Sequence, residues 1–265
     1  MNSIGIVDSL THPTLNSNWI KPDDLGESNI LVLLKQMDEN NIIKAFAVGM
    51  QGIGNYNEEK YVKFIKEASD KLIPIAFYHF SSMRSEFEIE ERLKVISTLG
   101  YRGIKIHPRI GELSLNHELL PFLIQSANSK KLIVQICTYF YDSKRGSNEN
   151  NIISLISLLE KISDQKLILV HSGSVKLMEY YEIARVFPKI LLDLSFTLCK
   201  YEGSSIDLDI SHLFKYFDQR ICIGSDFPEF SLFDLRRRFN HFSEGLSKQK
   251  KKNISHKNIL DYYEL

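Results

Sequence analysis

Four short apolar segments of this sequence each end in a histidine or an aspartate, side chains that serve acid–base and metal chemistry. The segments read IGIVDSLTHP, GIKIHP, LILVHSG and ICIGSDFP. They deliver Asp8, His12, His107, His171 and Asp226. Each apolar run predicts a short buried strand with its reactive group at the C-terminal end, which is where a (β/α)8 barrel builds its active site. We therefore expect one site assembled from segments that span almost the whole chain.

Asp226 and His171 are the catalytic candidates. Asp226 stands just after a buried run, where a carboxylate needs a partner, a metal or solvent. This position predicts that Asp226 is a metal ligand or a general base. The alternative is that its side chain caps the N-terminus of the next helix. His171 follows LILV and could ligate a metal, orient a carbonyl or shuttle protons near neutral pH. Its alternative is a histidine whose hydrogen bonds are satisfied within the core.

Lys105 and His107 alternate along one predicted strand, so their side chains share a face. A lysine on the interior face of a barrel must be paired, deprotonated or modified. We predict that Lys105 contacts a substrate carboxylate, with a carbamylated lysine between two metals as the alternative. Tyr139 and Arg145, in the loop after the next predicted strand, suit an acidic substrate that carries a ring.

The segments between these motifs alternate between apolar runs and stretches with helical periodicity. Runs of Val, Ile and Leu with little polar alternation are typical of strands covered on both faces. They predict strands at 3–8, 43–48, 72–78, 103–107, 132–137, 166–171, 189–195 and 220–225. The periodic stretches predict helices at 28–39, 57–70, 85–98, 117–128, 150–162, 174–186, 208–217 and 231–246. Asn57 and Asn116 are predicted helix starts, and Gly100 is a predicted left-handed helix end.

Eight strand–helix alternations without a break in composition predict a single-domain (β/α)8 TIM barrel over residues 1–265. The length agrees with the ~250 residues typical of such barrels. An open, doubly wound sheet is the alternative, but its ligand would not need groups from both the first and the last strand. The longest predicted loops are candidate pocket walls, and they are 9–26, 49–56, 138–149 and 196–207.

The amino-acid composition limits the classes of molecule that this chain is expected to bind. Apolar residues make up 43% of the chain and charged residues 25%, as in soluble globular proteins. The formal net charge is zero, so the sequence predicts neither nucleic-acid nor membrane binding and leaves a small-molecule substrate. Three cysteines without a CxxC pair favour a reducing, cytoplasmic setting. The oligomeric state is open, with a homodimer as one option.

Five motifs together give the chain a family resemblance. They are VDSLTHP, RGIKIHP, LIVQICT, LILVHSGS and RICIGSDFP. This set resembles the amidohydrolase superfamily, specifically its amidohydrolase-2 branch, over nearly the whole chain. The resemblance implies a (β/α)8 barrel that binds zinc or a similar divalent ion. It also implies an enzyme that hydrolyses amides or lactones, or that decarboxylates aromatic and related acids.

The resemblance also implies a metal site in which two of the usual positions are altered. In the first-strand pattern D-x-H-x-H, Asp8 and His12 match, whereas Leu10 stands where the first histidine belongs. Cys137 stands at the position of the fifth-strand histidine. With the last-strand aspartate, Asp226, the implied ligand set is His12, Cys137 and Asp226. Leucine cannot bind a metal, but a thiolate can, and three ligands are the minimum for a catalytic zinc.

Three interpretations follow for function. The first is a hydrolase with a reduced mononuclear metal site, in which Asp226 takes a proton and His171 protonates or stabilises the intermediate. The second is a metal-independent, lactonase-like hydrolase in which Lys105, His107, His171 and Arg145 polarise the substrate directly. The third is a barrel without catalysis that retains only a binding pocket.

Overall fold

The computed structural model describes residues 4–20, 26–79, 84–111, 113–141 and 151–265. Within these ranges eight parallel strands pair in chain order and alternate with helices. The strands are β1 (Ile6–Thr11), β2 (Ile42–Val48), β3 (Leu72–Phe77), β4 (Gly103–Ile106), β5 (Ile133–Cys137), β6 (Leu167–Val170), β7 (Ile190–Asp193) and β8 (Ile221–Cys222). The (β/α)8 TIM barrel predicted from the sequence is therefore confirmed.

The helices cover the outside of the barrel and one of its ends. They are α1 (Ile30–Glu39), α2 (Glu58–Ala68), α3 (Glu86–Leu99), α4 (Leu120–Ser129), α5 (Ile152–Lys161), α6 (Leu177–Val186), α7 (Thr197–Lys200), α8 (Ile206–Tyr216), α9 (Leu232–Ser243), α10 (Lys248–Lys252) and α11 (Asn258–Tyr263). A 3-10 segment, His171–Lys176, follows β6, and a π-helical turn, Asn253–Lys257, joins α10 to α11. No helix in the described ranges is long and apolar enough to span a bilayer.

Local signals predicted some helix ends and missed others. The Asn57 side chain caps α2 by accepting the Lys60 N–H at 3.0 Å, and Gly100 ends α3 with φ 87°, as predicted. The predicted start at Asn116 is wrong, because α4 begins at Leu120 with a proline in its first turn. The Asn116 amide instead donates to Ser154 Oγ at 3.3 Å.

Strand β1 ends later than the sequence indicated. The prediction that it stops at Asp8 is wrong, because polar residues beyond it continue the strand. Their hydroxyl groups find partners inside the protein: Ser9 Oγ donates to Asp193 Oδ1 at 2.7 Å, and Thr11 Oγ1 donates to the Phe46 carbonyl at 2.9 Å. Buried hydroxyls that are satisfied in this way cost little, so the strand carries His12 directly to its end.

Alternate residues of the strands pack into two separate cores. One lies between the sheet and the surrounding helices, and the other fills the barrel interior. The interior core is closed at the N-terminal ends of the strands by α11, whose Ile259 and Tyr263 join it. The Tyr263 hydroxyl accepts the Gln135 amide at 2.9 Å, and its ring lies 4.5 Å from that of Phe46.

Removing this aromatic plug should destabilise the barrel. We expect Tyr263→Ala to lower the free energy of unfolding by about 3–5 kcal/mol, because a large buried aromatic leaves a cavity. Chemical denaturation followed by circular dichroism measures the change. Tyr216→Ala is the matched control, because Tyr216 is 61% exposed and should shift stability by only about 0.5 kcal/mol. Equal effects of the two substitutions would contradict the role of Tyr263.

The seam between β1 and β8 closes the barrel. Ser9 N–H donates to the Ile223 carbonyl at 3.0 Å, and His12 N–H donates to the Phe227 carbonyl at 2.7 Å. The fully buried Asp8 carboxylate ties the same two segments: one oxygen accepts the Ser225 N–H at 2.9 Å, and the other accepts Ser225 Oγ at 2.6 Å. An open doubly wound sheet is excluded, because the first and last strands of such a sheet do not meet.

Burial of this seam carboxyl makes the stability depend on pH. Burial raises the pKa of Asp8 from 3.8 to about 7, although hydrogen bonds from Ser225 and Leu10 partly oppose the shift. Between these values the folded state holds a proton that the unfolded state has lost, so stability falls as the pH rises. We expect wild type to lose up to about 1.4 kcal/mol per pH unit relative to Asp8→Asn over that window. Denaturant midpoints across the pH range measure this difference.

The control for this titration is Asp164→Asn, which changes an exposed aspartate on a loop. Its stability curve should run parallel to that of wild type at every pH. A parallel curve for Asp8→Asn as well would show that the seam carboxyl titrates at its ordinary pKa.

Candidate active site

A cavity of about 970 Å³ opens at the C-terminal ends of the strands. Its charged and aromatic lining consists of His12, Trp19, Lys105, His107, Arg109, Tyr139, His171, Phe196, Asp226 and Glu229. All four loops predicted as pocket walls contribute to the lining. The loops after β4 and β8 also contribute, through Arg109 and Glu229, which lie beyond the predicted site residues His107 and Asp226.

His12 lies at the floor of the cavity with a defined tautomer. Its Nδ1 is 2.8 Å from the Val48 carbonyl, which can only accept, so Nδ1 carries the proton. Its Nε2 faces two groups: Lys105 Nζ at 3.3 Å and Asp226 Oδ1 at 3.4 Å. Burial and the Lys105 charge lower the pKa of His12, so the ring is neutral and Nε2 accepts from the lysine.

An aromatic side chain covers the same imidazole from the β1 loop. The Trp19 ring stacks on His12 with 5.1 Å between ring centroids. Its indole N–H donates to Glu229 Oε1 at 2.7 Å. The loops that follow the first and last strands are therefore joined across the edge of the cavity.

Asp226 is held in place by its own backbone. It adopts a left-handed φ of 60°, and its N–H donates to the Leu10 carbonyl at 3.0 Å. Burial opposes ionisation of the carboxyl, but the positive charges of His171 and Lys105 outweigh it and hold the pKa of Asp226 below its usual range. This carboxylate is ionised at any physiological pH.

His171 is oriented by a strained turn. Residues 171–174 all have positive φ, and only one of them is glycine. The turn is fixed from both sides, since Gly173 N–H donates to Thr138 Oγ1 at 2.9 Å and Thr197 Oγ1 donates to the His171 carbonyl at 2.6 Å. The His171 Nδ1–H donates to the Ser195 carbonyl at 3.0 Å. Nε2 is therefore the ring nitrogen that remains for the hydrogen bond with Cys137 and for a substrate.

The charge state of His171 differs from that of His12. Burial disfavours the imidazolium, but the negative charges of Asp226 and Cys137 outweigh burial and raise the pKa of His171. The site thus holds an ionised carboxylate and an imidazole that is protonated more readily than usual. These are the states that a general base and a general acid require.

Cys137 lies beneath two imidazoles rather than beside His12. Its side chain is 1% exposed and forms hydrogen bonds with His107 and His171. Burial opposes ionisation of the thiol, but the two imidazoles outweigh it and lower the pKa of Cys137 well below its usual value. The position predicted to bind a metal therefore holds a buried thiol of lowered pKa that is already hydrogen-bonded to two histidines.

The predicted substrate-binding residues lie around this floor. Lys105 and His107 both line the cavity, as their alternation on β4 predicted. Tyr139 lines it as well, with the Arg109 guanidinium 5.0 Å from the centre of its ring. Arg145 lies outside the described residues, so its contact with substrate stays a prediction.

Sequence reasoning missed several lining residues, among them Arg109 and Phe196. Arg109 follows His107 by two residues in a loop, and nothing in the string IHPR distinguished it from a surface arginine. Phe196 has a φ of 64° and packs against Tyr139 and His171, with ring centroids 5.3 and 5.5 Å away. Its place directly after the predicted strand 189–195, as the first residue of a predicted pocket loop, was the available signal.

The donor atoms do not fit the divalent ion that the family resemblance implies. The ammonium of Lys105 lies at the lone pair through which His12 would coordinate a metal. Leu10 packs in the interior core, and Cys137 is paired with the two imidazoles. Within the described ranges, no three His, Cys, Asp or Glu side chains are grouped so that they could hold a metal. Zinc binding at His12, Cys137 and Asp226 stays a prediction that this arrangement does not favour.

The fold and the site define an enzyme-type (β/α)8 barrel whose polar groups converge at the C-terminal ends of the strands. The profile of the Amidohydrolase family, in its amidohydrolase-2 form, matches residues 55–265. The chain therefore belongs to the amidohydrolase family. This membership supports an enzyme of the hydrolase or lyase type. No curated protein sequence matches the chain.

Solved structures of the same architecture resemble the whole chain. An uncharacterized TIM-barrel protein, Bb4693 of Bordetella bronchiseptica, has a TM-score of 0.81 at 16% identity and covers 99% of this chain and 100% of its own. The 5-carboxyvanillate decarboxylase LigW of Sphingomonas paucimobilis has a TM-score of 0.70 at 10% identity, covering 99% and 100%. The 5-carboxyvanillate decarboxylase LigW2 of Novosphingobium aromaticivorans, with bound manganese, has a TM-score of 0.68 at 13% identity, covering 98% and 97%. At these identities the likeness shows the fold.

Proposed function

We propose that this chain is a hydrolase that cleaves a small amide, lactone or related carboxylated substrate at the C-terminal mouth of the barrel. One observation carries the proposal. An ionised carboxylate, Asp226, and an imidazole with a raised pKa, His171, face one cavity from adjacent parts of its floor. Pairs of titratable groups with pKa values pushed apart are how acid and base roles are divided in an active site.

Asp226 is the general base of the proposed reaction. A water molecule attacks the acyl carbon, and the carboxylate takes its proton as the new carbon–oxygen bond forms. The lowered pKa makes Asp226 a weak base, but the carboxylate is fully ionised and rigidly held. Position and constant ionisation support its role, since a base acts only within hydrogen-bond reach of the proton that it removes.

His171 is the general acid. It gives its Nε2 proton to the leaving oxygen or nitrogen as the acyl bond breaks, so the products are a carboxylic acid and an alcohol or amine. The Ser195 carbonyl fixes the ring through Nδ1, and Asp226 lies close enough to stabilise the imidazolium. Asp226 then returns its proton to the neutral imidazole, directly or through water, which restores the starting state.

The lining supports an acidic substrate. Lys105 and Arg109 supply positive charge, and Tyr139 supplies an aromatic face beside the arginine. A planar guanidinium can bind a carboxylate in a bidentate manner, while a ring of the substrate can pack on tyrosine. A small aromatic or cyclic carboxylate matches this combination of charge and apolar surface.

There are two alternatives to this proposal: hydrolysis that uses a zinc ion, and decarboxylation. A zinc ion at His12, Cys137 and Asp226 would polarise the carbonyl, and metal analysis of the purified protein distinguishes that route. Decarboxylation of an aromatic acid is supported by the names of two similar structures and by a cationic lining, with His171 as the proton donor to the ring carbon. Release of carbon dioxide rather than an alcohol or amine would identify it.

The proposal predicts that Asp226→Asn abolishes turnover. The amide cannot accept the proton of the attacking water, so kcat should fall by about 10²–10⁴-fold. A panel of aromatic esters, lactones, N-acyl amides and hydroxybenzoates, followed by liquid chromatography and mass spectrometry, first supplies the substrate. The measurement is then the rate of product formation by wild type and variant on that substrate.

The matched control is Asp70→Asn, an exposed aspartate just before β3 and therefore at the opposite end of the barrel. It should retain the wild-type rate. If Asp226→Asn is as active as Asp70→Asn on every substrate that wild type converts, the assignment of the base is wrong. If wild type converts no member of the panel but binds one without change, the barrel without catalysis is the better interpretation.

A further inference from the structure

The floor of the cavity holds a buried ammonium group where a metal-dependent barrel needs vacant ligands. Lys105 is 1% exposed on the inner face of β4, and its Nζ is 3.3 Å from His12 Nε2. The His12 Nδ1–H is committed to the Val48 carbonyl, so Nε2 is the only ring atom that could accept from the lysine or bind a metal. One lone pair cannot serve both partners.

Three acidic groups near Lys105 partly offset the cost of burying its positive charge. Burial lowers the pKa of Lys105 below its usual value, and the negative groups that oppose this effect are Asp226, Cys137 and Asp193, in that order. Two of these have partners of their own, since Cys137 bonds the two imidazoles and Asp193 accepts from the serines around it. A divalent ion added beside Lys105 would meet repulsion from the ammonium with little further negative charge to offset it.

We infer that the ammonium of Lys105 occupies the place of the divalent cation, so that this barrel works without a resident metal. The inference rests on the site of the proposed function and not on the identity of its substrate. Lys105 lines the cavity, so its Nζ–H can donate to the carbonyl oxygen of a bound ester or amide. As that oxygen gains negative charge, a fixed ammonium in a water-poor site stabilises it electrostatically, without forming a covalent bond.

Lys105 would then have two roles: it stabilises the negative charge on the substrate oxygen, and it excludes the metal. The two roles can be separated, because metal binding is measured without substrate. Failure of the substrate panel would therefore leave the inference untouched, and failure of the metal experiment would leave the roles of Asp226 and His171 untouched.

The experiment compares metal binding by wild type and Lys105→Met. After incubation with Zn²⁺ or Mn²⁺ and desalting, wild type should retain less than about 0.1 equivalents by elemental analysis. Lys105→Met keeps the length of the side chain but removes the charge and the donor. We expect it to bind Zn²⁺ at least about tenfold more tightly than wild type in competition with a chelating dye, because His12 Nε2 and Asp226 are released.

Three further variants keep the test decisive. Lys131→Met is the matched control, because this lysine is 82% exposed near the opposite end of the barrel and should leave metal binding unchanged. Adding Asp226→Asn to Lys105→Met should remove the gained affinity. If Lys105→Met does not fold by near-ultraviolet circular dichroism, Lys105→Gln replaces it, because the amide also lacks the charge but can hydrogen-bond the polar groups around it.

Two results would overturn the inference. One is wild-type protein that purifies with about one equivalent of a divalent metal and loses it in Asp226→Asn. The other is a folded Lys105 variant that binds Zn²⁺ no better than wild type, because the ammonium would then not be what excludes the ion.

Discussion

The closure of β1 against β8 is the constraint on which the site depends. His12 and Asp226 lie at opposite ends of the sequence, and only the seam brings His12 Nε2 within 3.4 Å of the carboxylate. The backbone hydrogen bond from Asp226 to the Leu10 carbonyl belongs to both the seam and the site. Barrel stability and the geometry of the cavity floor are therefore coupled. A change that opens the seam between β1 and β8 would separate Asp226 from His12.

The floor is also a problem of charge balance. The carboxyl of Asp226, the thiol of Cys137, the amine of Lys105 and three imidazoles share a region that excludes water, so each pKa depends on the others. These groups differ in what they contact. Cys137 bonds two imidazoles, whereas Asp226 and Lys105 line the cavity, where a bound substrate can contact them. Because β5 ends in Cys137 instead of the histidine of the family pattern, it places a thiol of lowered pKa, rather than an imidazole, beside His171.

The sequence predicted elements better than contacts. Apolar runs located all eight strands, and the positions of Asp226 and His171 after them located the site, because burial and period are local properties. The contact between Lys105 and His12 crosses the barrel, and no pattern within either strand encodes it. Arg109 was missed for a related reason: its function depends on where a loop folds back. The C-terminal plug was missed because its segment, HKNILDYYEL, lies beyond the eighth predicted helix, and its packing depends on contacts with distant strands.

The backbone just after the last three strands shows how the polypeptide fixes the geometry of the site. His171, Phe196 and Asp226, after β6, β7 and β8, all adopt left-handed φ values of 60–66°. Each such conformation costs a non-glycine residue about 1–3 kcal/mol, so it persists only where surrounding contacts fix it. Those contacts are backbone and hydroxyl hydrogen bonds together with ring packing. The polypeptide itself therefore orients His171, Phe196 and Asp226, and the ammonium of Lys105 is proposed to stabilise charge rather than to organise the site.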